Sequence, residues 1–250
     1  MQYKDIDVNF DFTTDTSGFW DDYWMKEELL GRPGGDPDVS SRVLKEYQRL
    51  LWSRRLPNGE KMELKSGNSR EYLFWNDFRF GSDSIIASFR YQKYRYMIEQ
   101  VKEKLPDYHY FMEEYVRKSY TIGGEIIFPK RRGGINQRRG CNIYICDRWD
   151  LTLECIRRYY RQEESPLYQV LVAEKKYFDL FLDFKGYIDF FFLQDCVSPD
   201  YSSVKFWLGD GHFKKYPFPR SVDDYLQWIK QQLVFVDQRN RRIKKFFELI

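Results

Sequence analysis

Histidine is scarce in this chain, since His109 and His212 are the two that occur in 250 residues. Neither lies in an HxxE, HExxH or HxH setting, so the sequence does not indicate a histidine-rich metal site or a catalytic triad built on histidine. A single histidine acting as acid or base stays open. The sequence also lacks a Walker A loop and a GxGxxG motif, and the paired glycines of "TIGGEIIFP" precede a strand rather than a helix. The two best-known phosphate-binding loops are therefore excluded.

Cysteine and long apolar runs are also limited. The four cysteines do not indicate the disulfide framework of a small secreted domain, because the chain is too long and its core too rich, and we interpret them as reduced thiols. The spacing of Cys141, Cys146 and Cys155 does not indicate a zinc site. The longest apolar runs, such as "YIDFFFL" at 187–193, fall far short of the roughly 20 residues of a membrane-spanning helix, and the first residues lack a signal-peptide pattern. We expect a cytoplasmic protein with no membrane partner.

Charge and aromatic content favour a folded chain with balanced charge. Lysine and arginine number 41 and acidic residues 38, which leaves a net charge of +3 and argues against a general polyanion binder. Aromatic residues make up 19% of the chain, enough for a substantial core. About seven helical and five or six short strand patterns predict an α+β fold, predominantly helical, with a small antiparallel sheet. We expect a single domain over residues 1–250.

Local signals predict where particular elements lie. They predict a glycine- and proline-rich loop over 31–38, a helix over 85–104 capped by Ser82 or Ser84, a strand over 141–145, a helix from Asp147, a last helix capped by Ser221, and a solvated basic end over 239–250.

The helix predicted from Asp147 carries two opposite stripes. One is apolar, and the other holds Asp147, Asp150, Glu154, Arg158 and Arg161. Acids at its start and arginines at its end are typical of a surface helix that complements its own dipole. The alternative is chemical: Asp147, Asp150 or Glu154 would supply a general base or bind a divalent metal such as Mg²⁺.

The segment "KRRGGINQRR", residues 130–139, carries five positive charges and no acid. We expect a glycine-flanked loop in which arginines hold the phosphates of a ligand and an asparagine orients it, and the candidates are Arg131, Arg132, Asn136, Arg138, Arg139 and Arg148. Two alternatives stay open. The loop is flexible and solvated, or Arg138 or Arg148 is buried in an ion-pair network with Asp147 or Asp150.

Several words occur here in an order that resembles an uncharacterised bacterial protein family, a domain of unknown function. They are "LLWSRRLPNGEKMEL", "SDSI", "YTIGGEIIFP", "INQRRG", "DRWDLTLECIRRYY", "SPL" and "DFKGYIDFFFLQDCV", spread from about Phe12 to Arg242. The resemblance implies a bacterial, cytoplasmic, single-domain protein. It brings no activity, cofactor or catalytic residue.

Two functions follow as hypotheses. In the first, the chain binds or acts on a phosphorylated ligand, either a nucleotide or a nucleic-acid end, through the basic segment and the adjacent acidic helix start. In the second, it is a non-catalytic interaction or regulatory module with a protein partner, as in a defence or toxin–antitoxin pair.

Overall fold

A computed structural model describes residues 6–20, 35–67, 71–86 and 95–248, with the backbone alone at 95 and 96. Residues 31–34 of the predicted loop lie outside the described ranges, while 35–38 contain a turn and the start of a helix.

Ten α-helices and four strands are present in the described ranges. The helices are α1 (Pro37–Ser40), α2 (Arg42–Trp52), α3 (Arg95–Lys104), α4 (Tyr108–Ser119), α5 (Ile135–Cys141), α6 (Trp149–Tyr160), α7 (Tyr168–Ala173), α8 (Lys175–Phe178), α9 (Phe184–Phe190) and α10 (Val222–Glu248). The strands are β1 (Lys65–Ser66), β2 (Tyr72–Trp75), β3 (Phe78–Ser84) and β4 (Glu125–Pro129).

The four strands form one antiparallel sheet in the order β1-β2-β3-β4. A two-residue turn joins β2 to β3, and Asn76 in that turn has a φ of 49°. All five residues of β4 are buried, so helices cover this strand and leave little of it to solvent. The helix-dominated α+β fold expected from the sequence is confirmed.

The last helix, α10, fixes the start of β4. Arg239 has no exposed surface, and its Nη1 donates hydrogen bonds to the carbonyl oxygens of Gly123 at 2.9 Å and Glu125 at 2.8 Å. The Oδ1 of Asn240 accepts from the Gly123 amide at 2.7 Å. The prediction of a solvated basic end is wrong for Arg239, because these buried carbonyls need donors. Ser221 caps α10 as predicted, its Oγ accepting from the Asp224 amide at 3.1 Å.

Two local predictions near the sheet are corrected. Ser82 and Ser84 belong to β3 and do not cap a helix. Of the helix predicted over 85–104, Ile85 and Ile86 are not helical, 87–94 lie outside the described residues, and Arg95–Lys104 form α3. The strand predicted over 141–145 is the end of α5 and a turn. In both places, local polar or apolar patterns fit two structures, and tertiary packing selects between them.

The basic segment is also more ordered than a loop. Gly133 has a φ of +70°, a left-handed conformation that suits glycine, and α5 begins directly after Gly134. Ile135 is fully buried and anchors this helix. Residues 130–134 thus form the loop, and the remainder of "KRRGGINQRR" is helical.

Helix α6 occurs where the sequence predicts it, but it is not a surface helix. Asp150 and Glu154, which the stripe pattern placed on a polar face, are 1% and 4% exposed. Arginines beside them make this burial tolerable. Among the residues placed by the structure, no helix combines the length and the apolar character of a membrane span.

Candidate functional site

Arg139 of α5 links two carboxylates from distant parts of the chain. The guanidinium is fully buried, and its Nη1 lies 2.8 Å from Asp83 Oδ2 and 3.0 Å from Asp147 Oδ1. Its Nη1 also donates to the Ser84 carbonyl at 3.0 Å, and its Nε to Thr152 Oγ1 at 3.4 Å. A buried arginine with this many acceptors is a positioning group, and it brings Asp83 and Asp147 to one place.

Asp147 has an uncommon backbone conformation. Asp147 has a φ of 64° and the preceding Cys146 a φ of 48°, the left-handed region that residues other than glycine seldom adopt. Arg139 holds Asp147 from both sides, because its carbonyl accepts from the Asp147 amide at 2.9 Å and its Nη2 donates to the Asp147 carbonyl at 3.0 Å. Strain of this kind persists where the surroundings fix it, and it is common at functional sites.

Asp83 and Asp147 open into a cleft of about 1080 Å³ between β3, the loop after β4, α5 and the turn before α6. Four exposed basic residues line its mouth, and we name them the basic rim: Arg79, Lys130, Arg131 and Arg132. Four half-buried acids line its interior, and we name them the acidic wall: Asp36, Asp38, Asp83 and Asp147. The cleft therefore separates positive charge at its mouth from negative charge inside.

The environment of Asp83 favours its protonated form. Burial, assisted by the negative charges of Asp147 and Asp38 and opposed by Arg139, raises the pKa of Asp83 to about 7. A carboxyl with this pKa exchanges protons near neutrality, which is what general acid–base chemistry requires.

Four of the residues singled out in the sequence line this cleft: Arg131, Arg132, Asn136 and Asp147. Arg131 pairs through its Nε with Glu174. Asn136 donates from Nδ2 to the Ser82 carbonyl at 3.3 Å, while its buried Oδ1 meets no donor among the described residues. Arg139 lies behind the acids, and Arg138 is exposed and does not line the cleft.

Arg148 and Asp150 form a structural ion pair away from the cleft. Both are buried, and Arg148 Nη2 lies 2.5 Å from Asp150 Oδ2. Arg148 also donates to the carbonyls of Leu208 and Pro217, and Asp150 Oδ2 accepts from the Trp207 amide. The pair therefore connects α6 to the 207–217 segment. This agrees with the alternative in which Arg148 is buried in an ion-pair network with Asp150.

Glu154 is also held in ion pairs, with two arginines of α6. Arg157 Nε lies 2.7 Å from its Oε2 and Arg158 Nε 2.8 Å from its Oε1. Burial disfavours the ionised form of Glu154, but the hydrogen bonds from both arginines outweigh burial and lower its pKa. Glu154 does not line the cleft.

The sequence reasoning missed most of the acidic wall. Asp83 lies in "FRFGSDS", where the serines were interpreted as helix caps, and Asp36 and Asp38 lie in a loop-like stretch. The usable signal was the alternation of Phe78 and Phe80 with polar residues, which indicates a strand that ends in polar groups.

These acids do not form a metal cage. Within the described ranges, no three histidine, cysteine, aspartate or glutamate side chains are placed to hold a metal ion together. The four cysteines are free thiols. Mg²⁺ commonly uses one or two carboxylates and completes its shell with ligand phosphate, so a metal here would depend on the ligand.

The fold and the cleft describe a helix-rich α+β protein with a charge-separated cleft. The model of the family of unknown function DUF6994 matches residues 6–243, and the chain belongs to this family. No curated protein and no solved structure matches the chain.

Proposed function

We propose that this protein binds a phosphorylated small molecule of nucleotide size in the cleft between the basic rim and the acidic wall. The observation that carries the proposal is the combination of both charges in one cavity of about 1080 Å³. Small-molecule sites commonly span roughly 300–1,000 Å³, so a nucleotide or a sugar phosphate fits this volume.

The basic rim suits the phosphate end of such a ligand. Arg132 is exposed at the cleft and forms no ion pair with any residue that the structure describes, so its guanidinium can bind phosphate in bidentate fashion. Arg131 uses its Nε on Glu174, which leaves its terminal amines for a ligand. Gly133, with its left-handed backbone, turns the chain directly after these two arginines.

The acidic wall suits hydrogen-bond donors at the other end of the ligand. Asp83, Asp147 and the unpaired Oδ1 of Asn136 are acceptors, and hydroxyl or amino groups would satisfy them. Asp83, with its raised pKa, is an acid that would exchange a proton with a bound ligand, and Asp147 would accept a hydrogen bond beside it. Asp150, Glu154, Arg138 and Arg148 have no part in this proposal, because none of them lines the cleft.

The second hypothesis, a protein-interaction module, has less support. Large exposed apolar side chains in the described ranges are few and come from separate elements, and they are Val39, Tyr110, Ile143, Val172, Leu182, Tyr216 and Val234. No observation favours a docking surface over the cleft.

Calorimetric titration with a panel of probes tests the proposal: AMP, ATP, glucose 6-phosphate, pyrophosphate and a short single-stranded DNA, each with Mg²⁺ and with EDTA. Arg132→Ala removes a guanidinium from the cleft, and Arg138→Ala removes one from the same basic segment outside it. Charge-assisted hydrogen bonds contribute about 1.5–3 kcal/mol, so we expect Arg132→Ala to weaken binding about 10- to 100-fold.

Arg138→Ala is the matched control and should change affinity by less than about threefold, since rim charges act weakly at a distance. Equal losses in the two variants would show non-specific attraction to positive charge. Failure of every probe to bind the wild-type protein would contradict the proposal.

A further inference from the structure

Two carboxyl groups, Asp38 and Glu125, meet at the inner end of the cleft. Asp38, in α1, belongs to the acidic wall, and Glu125, the first residue of β4, lies behind it with no exposed surface. Their side chains are within hydrogen-bonding reach of each other. From the sequence, Asp38 was placed at the end of the loop predicted over 31–38, and Glu125 was not considered.

The hydrogen bonds around this pair show where a proton must be. Gln48 Nε2 donates to Ser82 Oγ at 2.6 Å, and Ser82 Oγ donates its own proton to Glu125 Oε2 at 3.2 Å. The other side of Asp38 is also occupied, because its Oδ2 accepts from the Ser84 amide at 3.2 Å.

One oxygen of each carboxyl then has no hydrogen-bond donor. Glu125 Oε1 and Asp38 Oδ1 are both shielded from solvent, and neither meets a donor among the described residues. Two ionised carboxylates in this arrangement would repel each other and leave two buried acceptors unsatisfied. A single proton between the two oxygens removes both penalties.

We propose that Asp38 and Glu125 hold one proton between them at neutral pH and that Asp38 presents this pair to the ligand as a second acid–base group of the cleft, in addition to Asp83. The second half of the proposal rests on the proposed function. When the pair acts as an acid, the carboxyl of Asp38, the member that lines the cleft, turns to bring the proton to the ligand. Its O–H bond then breaks, the ligand atom gains the proton and both carboxyls are left ionised. Water returns the proton after release.

The charged groups around the pair act in both directions. The ammonium of Lys45 in α2 donates to the Asp38 carbonyl at 2.6 Å, Arg239 of α10 donates to the Glu125 carbonyl, and both positive charges favour ionised carboxylates. Asp36, which precedes α1, and Asp83 of β3 add negative charge, which favours the proton. Burial, together with the charge of Asp38 and the hydrogen bond to it, holds the pKa of Glu125 well above its usual range.

Infrared difference spectroscopy tests the shared proton without any ligand. The carbonyl band of a protonated carboxyl is absent from ionised carboxylates, and the protein at about pH 8 should show it, because Asp83 is then mostly ionised. Glu125→Gln should remove the band, and its amide can still donate to Asp38 Oδ1, so the fold should persist. Glu174→Gln, a buried arginine-paired glutamate, is the matched control and should keep the band.

A wild-type spectrum without the band, or a band that Glu125→Gln retains, would overturn the shared proton. If Glu125→Gln does not fold, the presence or absence of the band in the wild-type spectrum still tests the shared proton.

Addition of AMP or glucose 6-phosphate tests whether the pair faces the ligand, because contact with Asp38 should shift the band. A bound probe that leaves the band unmoved would overturn the contact. Failure of both probes to bind would count against the proposed function while the ligand-free band still reports on the pair.

Discussion

One guanidinium, that of Arg139, serves two carboxylates and the backbone of a strained residue. The sequence suggested Arg139 as a phosphate ligand, but a side chain without exposed surface cannot reach a ligand in the cleft. Because it is buried, Arg139 positions other residues and does not bind the ligand itself. It holds Asp83 and Asp147 side by side in a setting of low polarity, where small changes in protonation have large electrostatic consequences.

The raised pKa of Asp83 makes stability depend on pH in a defined direction. Because its folded pKa of about 7 lies above the ordinary value of 3.8, the folded protein holds a proton that the unfolded chain releases between these values. The corresponding stability is fully present below about pH 4 and is lost as the pH rises through about 7. We expect Asp83→Asn to flatten the fall in unfolding free energy between about pH 5 and 7, by at most about 1.4 kcal/mol per pH unit.

Urea unfolding of the wild type and the variant across this range measures the effect. Glu154→Gln is the control, since the pKa of Glu154 is lowered and its titration falls below the range. Parallel pH profiles for wild type and Asp83→Asn would refute the raised pKa.

At the scale of elements, helices with a periodic apolar pattern were predicted correctly from the sequence, and short segments rich in polar residues were not. Helices α6 and α10 were predicted because apolar residues recur at helical spacing over several turns. The β2–β3 hairpin was missed because Ser82 and Ser84 fit a helix cap as well as a strand. Helix α5 was missed because its glycines and arginines are typical of a loop. The helix forms because Ile135 and Arg139 are buried against residues that are distant in sequence.

The contact between α10 and the segment before β4 admits only glycine at position 123. A Cβ added there would lie 2.5 Å from Asn240 Oδ1 and 2.7 Å from the Val236 carbonyl. We expect Gly123→Ala to lower the free energy of unfolding by about 1–3 kcal/mol, because the helix must move or the hydrogen bonds must break. Thermal or urea unfolding measures the change.

Gly140→Ala makes the matched control. Its Cβ would meet only Asp147 Oδ1, at 4.0 Å, and alanine favours a helix by about 1 kcal/mol over glycine. A neutral or stabilising effect is expected. If Gly123→Ala were equally harmless, α10 would not be clamped as described.

At the scale of the whole molecule, a net charge of +3 conceals a strong separation of charge. The basic rim comes mostly from consecutive residues, and the sequence could show it. The acidic wall gathers Asp36, Asp38, Asp83 and Asp147 from three separate parts of the chain, and Glu125, behind the wall, comes from a fourth. Composition cannot reveal such a convergence, because tertiary contacts bring these residues together. Arg131 and Arg132 of the rim were thus predicted, Arg79 was not, and of the four acids only Asp147 was predicted.

A chemical-shift map of the whole chain against AMP, ATP and glucose 6-phosphate tests the central claim most directly. The cleft account predicts that a bound probe perturbs backbone amides at Asp36 and Asp38 and at 82–84, 130–137 and 146–147, and leaves those at 154–158 and 207–208 nearly unchanged. Perturbation confined to another face, or none with any of these probes, would contradict the account.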